Sequence, residues 1–171
     1  MNLADSLGLT IAYWMHILAT VIWIGGLASL SLFVLPAARR SMQPVQYSTF
    51  LTSIQGRIQQ IGWFSLIVLI FTGMFQMISH PNYQGFLVIS TTWAEAILIK
   101  HLTVGVMLIL SAYITWGVMP ALERMAFRQS MGKPGDPEEL EKLQQRETVL
   151  LRVNLFLAII VLLLTAWART S

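Results

Sequence analysis

From Ser6 to Ala38 the chain carries no Asp, Glu, Lys or Arg, a run longer than the roughly 20 apolar residues that cross a bilayer. Backbone inside hydrocarbon has to satisfy its own hydrogen bonds, so a run of this kind is expected to be a membrane-spanning helix. With 171 residues, of which 56% are hydrophobic and 11% charged, the chain lacks the polar surface that would wrap such a helix in a soluble domain. Asp5 precedes the run and no basic residue does. A secretory signal has the opposite flank, so the segment is expected to stay as a mature helix. Cysteine is absent, which excludes disulfides, thiolate metal sites and a thiol nucleophile.

Hydropathy and punctuation divide the chain into an all-α, integral membrane four-helix bundle, read as one membrane domain over residues 1–171. The first helix is expected over about residues 8–35, ending at Pro36, with a loop or short amphipathic stretch after it. The second, over about residues 56–79, ends at the turn-rich sequence His80-Pro81-Asn82-Tyr83-Gln84-Gly85. The third covers about residues 92–119 and ends at Met119 and Pro120. Gly132, Lys133, Pro134, Gly135 and Asp136 make the clearest break. Asp136, Pro137 and Glu139 then have the pattern of an N-cap, a first-turn proline and a capping-box partner. They open a fourth helix over about residues 137–168, membrane-embedded from about 148.

Basic residues orient this bundle. Arg39, Arg40 and Arg57 flank the first connection, and Arg124, Arg128, Lys133, Lys142, Arg146 and Arg152 flank the third, while the second, from His80 to Thr92, has none. The positive-inside rule puts the first and third connections in the cytoplasm and both termini outside. The expected location is the plasma membrane, multi-pass, with the lipid bilayer as first partner. The net charge of +3 thus reflects topology, and no basic run interleaved with aromatics points to nucleic acid.

The histidines then gain meaning from depth. His16 follows Gly8 by eight residues and His101 follows Trp93 by eight, which puts both about 12 Å along helices running inward. Ionisable residues at such depth usually face the bundle interior and serve function. Around His16, Ala12, Ala19 and Gly26 alternate with His16, Trp23 and Leu30 on one face, and His101 shares its face with Gly105. Such gaps admit close helix contact, and they also admit a flat macrocycle. Diagonal helices in a four-helix bundle are spaced so that two imidazoles can grip one iron, and axial histidines hold haem. His16 and His101 are therefore candidate haem-iron ligands, with Trp23, Gly26 and Gly105 around the ring. Lys100 is a candidate partner for a haem propionate or a residue that snorkels to headgroups. Gln76 is near enough in depth to orient a histidine.

A second chemistry is written on the second helix. Met74, Met77 and His80 recur every three residues, and thioether and imidazole donors suit copper, Cu(I) above all. Methionine also fills gaps in ordinary packing. Asn154, Ala158 and Thr165 form a further small or polar stripe that interhelical bonding explains. No phosphate loop, catalytic triad or pair of buried carboxylates is present, and the acidic residues read as loop and interface residues.

The stretch His16-Ile-Leu-Ala-Thr-Val-Ile-Trp23-Ile-Gly25-Gly26-Leu27 resembles the first helix of two related groups, the copper-resistance-D-type membrane proteins and the HemJ-type protoporphyrinogen oxidases. Arg57 matches an arginine before their second helix, Thr72-Gly73 a pair within it, and Lys100 a lysine early in the third helix of the HemJ type. The resemblance implies a four-helix core that binds haem b, with His16 as the haem ligand and Lys100 as a functional lysine. His101 lies outside that pattern, and the first connection is short for the HemJ type.

The leading expectation is a haem-b membrane protein for electron transfer or haem-dependent oxidation, protoporphyrinogen oxidase-like if it is an enzyme. A quinone or a porphyrin would be its substrate, and a homo-oligomer or larger membrane complex its setting. Copper handling is the alternative, and a non-catalytic structural subunit the third reading.

Overall fold

A computed structural model describes residues 3–42, 44–85, 88–132 and 136–170, and all its regular elements are helical. In order these are α1 (Leu3–Ser29), a π-helical turn (Leu30–Val34), α2 (Leu35–Ser41), α3 (Pro44–Ile78), α4 (Thr92–Tyr113), a second π-helical turn (Ile114–Val118), α5 (Met119–Ser130) and α6 (Pro137–Thr170). Four helical stretches, Ser6–Ser41, Thr49–Ile78, Thr92–Arg128 and Pro137–Thr170, are long and apolar enough to cross a membrane. The outward faces suit such a setting: Phe33, Phe71, Ile109, Trp116 and Leu163 are all exposed. One end of the bundle holds the Ser79–Thr91 connection and is called the turn end. The other holds Arg39, Arg40, Arg124 and Arg128 and is called the basic end.

The helices do not stop where the prolines predict. A proline removes one i→i−4 hydrogen bond and crowds the carbonyl four residues before it. Here each proline follows a π-helical turn, in which Leu35 N–H donates to Leu30 O and Met119 N–H donates to Ile114 O. The widened turn takes up the missing bond, so helix continues through Pro36 to Ser41 and through Pro120 to Ser130. Likewise α3 begins at Pro44 rather than near residue 56. At the other boundaries the local chemistry is as the sequence suggests. Thr91 Oγ1 accepts from Ala94 N–H, and Asp136 Oδ1 accepts from Glu138 N–H at the start of α6. Lys133, Pro134 and Gly135, in the expected break, lie outside the described residues.

The two π-turns reveal a relation between halves. Ile114 follows Leu30 by 84 positions, and Pro120 follows Pro36 by the same 84. At that offset Ala28 matches Ala112, Val34 matches Val118, Ala37 matches Ala121 and Arg40 matches Arg124, and Lys100 takes the place of His16. The packing repeats too, since α1 pairs mainly with α3 and α4 mainly with α6.

Lipid tails are as apolar as leucine, so burial alone does not pull helices together within a bilayer, and close packing and interhelical hydrogen bonds contribute more. Toward the turn end His16 bonds Thr72, and Gln76 Nε2 donates to Ala12 O, tying α1 to α3. Toward the basic end Asn154 Nδ2 donates to Ser111 Oγ, and Gln59 Nε2 donates to Thr115 Oγ1, tying α6 and α3 to α4 and its π-turn. At the basic end itself Arg39 clamps three elements: Nε donates to Tyr47 Oη, Nη2 donates to Gln144 O, and its charge acts on Glu147. Glu147 is fully buried, which corrects the expectation that every acidic residue sits in a loop or at an interface.

Candidate functional site

Among the described histidines, His16 is the one whose ring is hydrogen-bonded to a side chain of another helix. Its ring is half-buried on α1 and lies 2.8 Å through Nδ1 from Thr72 Oγ1 on α3. The Thr72 hydroxyl donates its own hydrogen to Val68 O at 2.6 Å. With that hydrogen given to Val68 O, Thr72 is the acceptor for His16 Nδ1, an arrangement that leaves the Nε2 lone pair free. A histidine whose second nitrogen donates to a fixed acceptor is oriented and made more basic for metal binding. Gly73 makes room for this arrangement. A Cβ at Gly73 would sit 3.3 Å from His16 Cε1, so a larger residue there requires the ring to shift by a few tenths of an ångström.

Met77 is the next position along the Gly73 stripe of α3, one helical turn toward the turn end, where i,i+4 neighbours are about 5–6 Å apart at Cβ. It is buried against Trp93 and Ala96 of α4. Lys100, one turn beyond Ala96 on α4, is half-buried, and its charge acts on His16. The Lys100 charge thus acts on the His16 imidazole from another helix, and the Met77 thioether lies one helical turn along α3 from the Gly73 that His16 packs on.

The other sequence-predicted residues fall elsewhere. His101 is exposed, and its Nδ1 is 2.7 Å from Ile97 O of its own helix. The expected pair of buried histidines is corrected, and no His16–His101 grip forms inside the bundle. The reason is helical phase: His101 is one position past Lys100, and it is Lys100 that matches His16 between halves. Gln76 serves the α1 backbone rather than a histidine. Thr72, noted in the sequence only as half of a Thr-Gly pair, is the actual partner. Trp23 packs beside Gly62 and, with Gly26, lines a cavity nearer the basic end rather than a ring at His16. A Cβ at Gly105 would meet open space, and α3 packs against the Nδ1 side of His16 through Thr72 and Gly73.

The Met74–Met77–His80 ladder is also only partly assembled. Met74 is 40% exposed while Met77 is buried. His80 stacks on Trp93, with ring centroids 4.4 Å apart and planes 8° from parallel. Its Nδ1 accepts from Asn82 N–H at 3.3 Å, which puts the proton on Nε2, opposite to His16. Among the described residues there is no group of three or more His, Asp or Glu side chains that could hold a metal ion.

Residues 53–168 match the family model of copper resistance protein D, CopD. The chain belongs to the CopD family. The match starts within α3 and runs to the end of α6, so it includes Thr72, Gly73, Met77 and Lys100, while His16 lies ahead of it. No curated protein and no solved structure matches the chain significantly. Membership of CopD points to a copper-related membrane protein.

Proposed function

We propose that this CopD-family protein handles copper within the membrane as a passing cargo, with His16 Nε2 as the principal ligand and Met77 as the second. The observation that carries the reading is the 2.8 Å contact of His16 Nδ1 with Thr72 Oγ1, whose hydroxyl is already bonded to Val68 O; with Nδ1 donating there, the Nε2 lone pair is left for a metal. Neutral imidazole and thioether donors suit Cu(I), which asks for soft ligands and little charge. The donor set is too small for a resident metal. Two ligands with the Lys100 charge beside them hold a cation loosely, which serves transfer better than storage. If the basic end faces the cytoplasm, as the positive-inside rule expects, His80 and Trp93 border the outer side, and an ion would pass Met77 before it reaches His16.

Expression in a copper-sensitive bacterial host tests this directly. Cell-associated copper and growth at raised copper are expected to change with the wild-type chain and to return to the empty-vector level with His16→Ala. Met77→Leu, which conserves volume and packing, is expected to give an intermediate level, and His101→Ala to behave as wild type. Equal copper in all five strains, empty vector included, would contradict the reading.

A further inference from the structure

Between α3 and the second π-turn, Trp63 and Trp116 stack with ring centroids 5.3 Å apart and planes 24° from parallel. Beside them runs a groove of about 460 Å³, lined by Gly56, Gln60, Phe64 and Ile67 of α3 and by Thr115 and Trp116. It is open at the surface. Phe64, Ile67 and Trp116 are 68%, 51% and 69% exposed, and Gly56 has no side chain to close it, a Cβ there meeting open space. Two polar groups of its wall are turned on each other, since Gln59 Nε2 donates to Thr115 Oγ1, whose hydroxyl donates to Ser111 O. What remains is a largely apolar trough on a face that suits lipid.

Charge decides what fits this trough. Arg57 is exposed next to Gly56, and it shares a face of α3 with Gln60 and Phe64, three and seven residues on. It precedes Trp63 by six residues, about 9 Å nearer the basic end. Arg124, exposed on α5, follows Trp116 by eight residues, about 12 Å in the same direction, and α5 packs on α3. Glu123, also exposed beside Arg124, offsets part of that charge and leaves Arg57 as the main cation. Tryptophans sit at headgroup level in membrane proteins, and the positive-inside rule puts the basic end in the leaflet that carries anionic lipids. Apolar trough, indole pair and arginine thus follow one another as acyl chain, ester region and phosphate do along a phospholipid.

The combination belongs to one half of the molecule. Thr165 follows Thr72 by 93 positions, and each donates to the carbonyl four residues before it, Val161 O and Val68 O, so α6 repeats α3 at that offset. Gly56, Arg57 and Trp63 then correspond to Val149, Leu150 and Phe156, and at the offset of 84 Trp116 corresponds to Leu32. Packing of the repeated helices therefore does not require the gap, the cation or the indole pair. We propose that the groove binds an anionic phospholipid of the leaflet at the basic end, its phosphate on Arg57 and one acyl chain along Trp63 and Trp116. The guanidinium offers two parallel N–H donors to phosphate oxygens. The site is separate from the copper region, because His16 lies toward the turn end.

The test is native mass spectrometry of the full chain in a non-ionic detergent, titrated with phosphatidylglycerol or with phosphatidylcholine of the same acyl chains. The first phosphatidylglycerol is expected to bind at least about fivefold more tightly than the first phosphatidylcholine, each Arg near the surface adding to the attraction for anionic lipid. Arg57→Ala is expected to bring the two lipids within about twofold of each other. Arg40→Ala, which removes an equal charge at the same end, is expected to keep the wild-type preference. Gly56→Leu fills the trough and is expected to weaken phosphatidylglycerol binding, while the lipid-free melting temperature stays at the wild-type value. Equal affinity for the two lipids, a preference that survives Arg57→Ala, or one that falls as far in Arg40→Ala would overturn the proposal. A second copy of the chain as occupant would appear as a dimer that Gly56→Leu dissociates, with no lipid preference in the wild type, and would overturn it too.

Discussion

Replacing Arg39 by Ala should destabilise the bundle more than any other single change at the basic end. Arg39 donates through Nε to Tyr47 Oη at 3.0 Å and through Nη2 to Gln144 O, and its guanidinium lies 5.6 Å from the centre of the Tyr47 ring. Tyr47 is 2% exposed and Glu147 is 0% exposed, so water cannot replace what is lost. Hydrogen bonds from a charged donor contribute about 1.5–3 kcal/mol each. Two of them give about 3–6 kcal/mol, in line with the roughly 3–5 kcal/mol lost when one partner of a buried charged pair is removed. Exposed Arg40 is the control, with an expected change within about 0.5 kcal/mol. The assay is reversible unfolding in mixed micelles with increasing dodecyl sulfate, followed by circular dichroism. Adding Glu147→Gln should recover part of the loss in Arg39→Ala, with a coupling of about 0.5–3 kcal/mol for residues in one network. A loss below about 1 kcal/mol for Arg39→Ala, or no coupling to Glu147, would refute the clamp.

Other expectations follow from the same contacts. Thr72→Val keeps the shape of the side chain but removes the acceptor for His16 Nδ1, and Cu(I) affinity should fall about 10–100-fold, as for other partners that orient a ligand, while thermal stability changes little. Lys100→Met removes a positive charge from the copper region and should raise Cu(I) affinity by at least about threefold, measured by chelator competition; lower affinity would make Lys100 a contributor rather than an opponent. Burial pushes the Tyr47 phenol above its ordinary 10.0, and Arg39 pulls it partly back. The raised folded value means that this stability is present below pH 10 and is lost as pH rises through it. Tyr47→Phe should accordingly flatten the alkaline limb of a stability-versus-pH curve.

Much of this architecture was legible because a bilayer imposes a length. The uncharged run from Ser6 to Ala38 and the turn signals around His80 and Asp136 required helices of spanning length, with breaks between them. What composition could not give was the helical phase to within one residue. His16 and Lys100 face the interior, whereas His101 does not, and a depth argument that counts residues along the axis is blind to that rotation of about 100°. The signal that distinguishes them is the offset of 84 positions that aligns Pro36 with Pro120 and His16 with Lys100. Continuation of helix past both prolines was hidden for a related reason. A π-turn is a pattern of backbone bonding, and the residues Leu30–Val34 and Ile114–Val118 have no side chains that announce it. Likewise Thr72 was visible only as a small polar residue on α3, and its role depends on Val68 O taking its hydrogen.

Under the proposed function, His16 presents a free imidazole nitrogen to copper rather than to haem iron. Anaerobic titration of the purified chain with Cu(I) against a chromophoric chelator, with an absorption spectrum of the same sample, tests it most directly. One Cu(I) per chain, affinity at least tenfold lower in His16→Ala, and no Soret band in either protein are the predicted results. A Soret band that disappears in His16→Ala, or Cu(I) affinity indifferent to that substitution, would contradict the claim.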